Sequence, residues 1–129
     1  MNRRVVRVLF GLPLLACLLG ADDITFAKDQ PVRKPLAQGQ GAKLEATGTV
    51  VVDPANDLES LTYYARSKSG QTDQIAAKVD RKTWSATLQL APGDYEVWAE
   101  LISTDKKTGA RTKTETKPVK VTIEKTGKV

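Results

Sequence analysis

No histidine occurs anywhere in the chain, and the single cysteine, Cys17, lies close to the N-terminus. Those two absences exclude Ser-His and Cys-His catalytic couples, His-rich zinc sites and, beyond residue 17, all thiolate chemistry. No disulfide can form within the chain, so its stability must come from a core. Aromatic residues are scarce at 5%, which makes the position of each one informative. No apolar run is long enough to span a bilayer, which takes about 20 residues. The longest, Val8 to Leu19, has twelve residues and is interrupted by Gly11 and Pro13.

That short run is the first feature present. Arg3, Arg4 and Arg7 precede it, and the order of cationic start then apolar stretch is that of a secretory leader. Leader removal requires small residues one and three positions before the cut. Thr25 and Ala27 supply them, so the leader is expected to comprise residues 1–27; a cut after Ala21 places Leu19 at the third position. Leu14-Leu15-Ala16-Cys17 partly matches a lipobox, which makes a lipid anchor at Cys17 the competing expectation. The implied location is exported, periplasmic or extracellular. Residues 28–129 carry 17 basic and 13 acidic side chains, net +4. This excess suits solubility and loose contact with anionic envelope polymers but is too evenly mixed to indicate nucleic-acid binding.

Residues 28–43 hold Pro31, Pro35, Gly39, Gly41 and three glutamines with little to bury, the composition of a flexible spacer. From Lys43 the hydrophobic period becomes two. Leu44, Ala46, Val50 and Val52 alternate with polar residues around Gly48, where a bend or bulge is expected. Further alternations follow: Leu61/Tyr63/Ala65; Ile75/Ala77/Val79; Trp84/Ala86/Leu88/Leu90; Tyr95/Val97/Ala99/Leu101; and Val119/Val121/Ile123, with a polar strand over Arg111 to Thr116. Turn residues separate them at Asp53-Pro54, Ser67 to Gly70, Asp80 to Lys82, Pro92-Gly93 and Asp105 to Gly109. Only Asp57 to Tyr64 is ambiguous with helix. Six to seven short strands predict an all-β antiparallel sandwich over residues 44–124, followed by a tail over 125–129.

The stretch from Trp84 through Leu90, Pro92, Gly93 and Tyr95, with the Asp105-to-Gly109 hairpin and the Pro118-Val119-x-Val121 strand, resembles bacterial immunoglobulin-like and fibronectin type III-like domains. The resemblance implies a tyrosine corner at Tyr95 and adjacency of the strands bearing Tyr64 and Trp98. It implies no activity, because such sandwiches carry unrelated functions.

Candidate sites are few. Asp94, Glu96 and Glu100 are carboxylates close in sequence, but Glu96 and Glu100 fall on an outward strand face where solvated acids are ordinary. An enzyme is not expected, nor any cofactor. Asp53, Asn56, Asp57 and Glu59 gather oxygen ligands in one loop, as calcium would require, without a known spacing. Alternation turns Tyr64, Trp98 and Ile102 outward, where they would form a binding patch for a protein or envelope polymer. Trp84 and Tyr63 face inward and are expected in the core. The loop from Asp105 to Ala110 is a candidate protrusion for an inhibitor of an exported enzyme. The function expected from sequence is that of an exported, non-enzymatic binding or accessory domain of the envelope, or alternatively a calcium- or glycan-linked adhesion module.

Overall fold

A computed structural model describes residues 22–37 and 40–124. Among these residues ten β-strands run in chain order: β1 (Asp23–Phe26), β2 (Val32–Pro35), β3 (Ala42–Val51), β4 (Asn56–Ser67), β5 (Thr72–Ala76), β6 (Lys78–Asp80), β7 (Thr83–Leu90), β8 (Gly93–Asp105), β9 (Arg111–Glu115) and β10 (Val119–Ile123). There is no α-helix among the described residues. All pairings are antiparallel and build two five-stranded sheets. One has the order β9-β8-β4-β5, with β10 continuing the β9 edge along β8. The other has the order β1-β3-β7-β6, with β2 sharing the edge of β3.

The period-two residues explain how the sheets meet. Leu44, Ala46, Val50, Trp84, Leu88 and Leu90 of one sheet and Leu61, Tyr63, Ala65, Val97, Ala99 and Leu101 of the other are all buried in one core. Their alternating partners lie on the outer faces and are mostly polar, with Val51, Tyr64, Trp98 and Ile102 the apolar exceptions. Trp84, 1% exposed, and Tyr63, fully buried, sit with Phe26 at its centre, with ring centroids 5.6 to 6.4 Å apart. The region Asp57 to Tyr64 is strand, because its inward residues Leu61 and Tyr63 pair across to Leu101 and Ala99.

Several sequence boundaries differ from the observed ones. Among the described residues, strand pairing already occurs at Asp23–Phe26, well ahead of residue 44. Ile24 is 3% exposed, and β1 pairs residue by residue with Gly48 to Val51. Asp22 anchors this end, accepting from the Asp53 N–H at 2.7 Å and from the Ser103 hydroxyl. Burying Ile24 alone contributes about 1.5–3 kcal/mol, a large share of the 5–15 kcal/mol typical of a domain. Residues 22–27, expected in the leader, are therefore part of the sandwich. Residues 28–43, expected as a spacer, contain β2, which needs only its backbone to pair with Ala42 to Glu45; Val32 remains 38% exposed. The expected tail at 125–129, the lipobox and Cys17 lie outside the described residues.

Two strand assignments also change. Ile75, Ala77 and Val79, expected as one strand, are divided: Ile75 lies in β5, which pairs with β4 in one sheet, Val79 in β6, which pairs with β7 in the other, and Ala77 between them. The chain crosses at Ala77, whose N–H bonds the Leu61 carbonyl. At Gly48 there is no bulge, since β3 keeps an unbroken register with β7 from Ala42 to Thr49. The register shift falls instead between Leu58 and Ser60.

Candidate functional site: the outer face around Tyr64 and Trp98

Strands β4 and β8 are neighbours, and their register sets Tyr64 directly opposite Trp98 on the face away from the core. The two rings stack with centroids 5.2 Å apart and planes 14° from parallel. Two residues further along β4, the same face carries Arg66, whose guanidinium carbon lies 5.3 Å from the Trp98 ring centre. Arg66 is also held by Glu96, its cross-strand partner, at 3.2 Å. The indole thus spends contact area on a ring and on a cation, and both aromatic residues remain half-buried.

On the other side of the stack lies a rung of acids. The Tyr64 hydroxyl donates to Glu100 at 3.3 Å, and Glu100 stands directly across from Glu115 on β9. Lys113 reaches both carboxylates at 3.8 Å. Partial burial pushes the Glu100 carboxyl above its ordinary pKa; the adjacent Glu115 adds to this, while Lys113 opposes it. Burial and the nearby Glu100 charge likewise raise the Tyr64 phenol. Ile102 shares this face but lies one rung beyond Glu100, paired with Lys113 and Ser60, so it does not join the aromatic stack. The patch of three expected from sequence is a pair plus an outlier. Arg66 was the member sequence reasoning missed, although the alternation that turned Tyr64 outward places Arg66 on the same side.

Beyond Arg66 the face dips into a recess of about 430 Å³ between the ends of β4, β8 and β10. Arg66, Lys68, Asp94, Glu96, Lys120 and Thr122 line it. Asp94 is committed to the Thr122 hydroxyl at 2.8 Å. Basic and acidic groups therefore alternate here too, and the whole face is mixed in sign.

The other candidates come apart on inspection. The four residues expected in one loop do not share one: Asn56, Asp57 and Glu59 lie in β4, and only Asp53 precedes it, capping the Ala55 N–H at 2.9 Å, while the Asn56 amide reaches toward Asp22 and Ser103. Asp57 lies 3.9 Å from Lys106, while Glu59 takes Arg111 and Thr104. The Thr104 and Arg111 bonds hold the Glu59 carboxyl below the usual range. These four side chains point to separate partners, and among the described residues no group of three acids converges on a metal-sized site. The Asp105 hairpin is closed by its own carboxylate, which accepts from the Lys107 and Thr108 N–H groups at 2.8 and 3.0 Å and is thereby held below its ordinary pKa. The Tyr95 hydroxyl turns back to donate to the Ala91 carbonyl at 2.7 Å.

In comparison with known proteins, no family model, curated protein or solved structure matched the chain.

Proposed function

We propose that this chain is an exported, non-enzymatic protein-recognition domain of immunoglobulin-like type, and that it binds through the outer face of the β9-β8-β4-β5 sheet. The observation that carries the reading is the contiguous Tyr64–Trp98–Arg66 group at the middle of that face. Tryptophan, tyrosine and arginine are the residues that dominate protein–protein binding energy when clustered centrally within a polar rim. Here the rim consists of Glu96, Glu100, Lys113 and Glu115. Balanced charge on the face favours a protein over a polyanion, and the ring faces already spent on each other and on Arg66 leave less flat area for a sugar.

The immunoglobulin-like assignment draws support from strand order. If each broken edge counts as one strand, the sheets read edge-β3-β7-β6 and edge-β8-β4-β5, the arrangement of the two sheets in that architecture. The Tyr95–Ala91 bond agrees with its tyrosine corner. Export follows from the cationic and apolar start of the sequence. The test is capture of envelope proteins by the folded chain against the Trp98→Ala and Arg66→Ala variants. A partner held by the wild type and lost by both variants supports the reading. Retention of every partner by both, or binding only to purified anionic polymers, overturns it.

A further inference from the structure

The placement of the first strand bears on where an export leader can be removed. Asp23–Phe26 is an edge strand whose four residues pair with Gly48 to Val51. Ile24 is buried, Phe26 packs on Trp84 and Tyr63, and the Thr25 carbonyl accepts the Trp84 indole N–H at 3.1 Å. Ala27 continues the edge by bonding its N–H to the Thr47 carbonyl at 2.9 Å. Just ahead of the strand, the Asp22 carboxylate ties to Asp53 and to fully buried Ser103. Removing residues through Ala27 would take this strand away, strand the Trp84 N–H inside the core and leave Ser103 without its carboxylate partner.

We propose that the leader is removed by hydrolysis of the Ala21–Asp22 peptide bond, so that the exported domain begins with the residue that anchors its first strand. Water adds across the amide under a leader peptidase of the exporting cell, leaving a carboxylate on Ala21 and an ammonium on Asp22. Thr25-Phe26-Ala27 is the better small-x-small match to a leader peptidase, whereas Leu19-Gly20-Ala21 offers a small residue only next to the bond. The fold decides against the better match, because its products would be a chain without β1. A cut at residue 21 leaves every hydrogen bond and buried side chain of the strand in place.

This inference rests on the reading of residues 1–21 as an export leader. The experiment expresses the full chain in an exporting bacterium and measures the intact mass of the exported product, for the wild type, Ala21→Asp and Ala27→Asp. The expected product begins at Asp22; Ala21→Asp accumulates precursor and loses the mature species, while Ala27→Asp, at an exposed position, is processed like the wild type. A product beginning at Lys28, a diacylglycerol adduct on Cys17, or loss of processing in Ala27→Asp overturns the site. Full-length chain in all three, with none exported, overturns the leader reading itself.

Discussion

Gly48 lies against the carbonyl of Thr25 so closely that a Cβ built on the glycine would stand 1.9 Å from that oxygen and 2.6 Å from the Trp84 indole nitrogen. The bare backbone is what lets Trp84, paired opposite Gly48 on β7, extend its ring past β3 to the carbonyl of β1. A methyl group there has to displace backbone, not a flexible side chain. Gly48→Ala is therefore expected to destabilise by about 3 kcal/mol, combining overpacking with loss of the indole hydrogen bond. Urea denaturation checks it: an unchanged midpoint would show that β1 is not seated on this glycine.

Two phenols, one partly and one fully buried, give opposite expectations for the same change. Tyr95 donates its hydroxyl to Ala91, so Tyr95→Phe loses a satisfied bond and costs about 1 kcal/mol. Tyr63 is fully buried, and its hydroxyl finds no partner among the described residues. An unpaired buried hydroxyl is a liability of about 1–3 kcal/mol, so Tyr63→Phe should raise the melting temperature. Thermal melts of the two variants side by side test the pair. A fall in both would mean that Tyr63 has a partner in solution.

The two tryptophans separate core from surface. Trp84→Ala is expected to cost about 3–5 kcal/mol by opening a cavity between the sheets. Trp98→Ala removes one stacked pair and one cation contact on the outside and is expected to cost about 1 kcal/mol, with the far-ultraviolet circular dichroism unchanged. If Trp98→Ala unfolds the chain as readily as Trp84→Ala, the outer face is structural and its role in recognition falls.

What could be read from the sequence followed from the period of two. Leu44, Ala46 and Val50, Trp84, Leu88 and Leu90, and Val97 to Leu101 revealed their inward faces because alternation fixes which side chain meets the core, whereas Ile75 is 41% exposed on its edge strand. The same rule turned Tyr64 and Trp98 outward, but their stacking depends on register between β4 and β8, which turn lengths and a shift near Leu58 determine. Ile24 and Phe26 were hidden because two apolar residues shortly after the apolar run Val8 to Leu19 carry no period of their own. β2 was hidden because Val32 to Pro35 buries almost nothing and is held by backbone pairing with β3 and by exposed polar contacts of Arg33 and Lys34. The passage of the chain between sheets at Ala77 left no mark, since an edge strand that changes partners keeps its alternation.

Glu100 gives the outer face a dependence on pH. Its carboxyl is raised first by burial and then by Glu115 across the strand pair. A raised carboxyl binds its proton more tightly in the folded state than in the unfolded one. Its favourable contribution is therefore complete below the unfolded pKa and is lost as pH rises through the folded one. Glu59 and Asp105 are lowered, so their contributions run the other way and fade as pH falls. The total stability mixes both signs, but comparison with Glu100→Gln isolates one group. The variant is expected to match the wild type near about pH 3 and to become the more stable of the two as pH rises toward neutrality, levelling off above the folded pKa. Melting temperatures of both proteins from about pH 3 to 8 decide it. A variant that loses ground as pH rises would mean that Lys113 outweighs burial and Glu115, and that the acid rung stabilises the face at neutral pH.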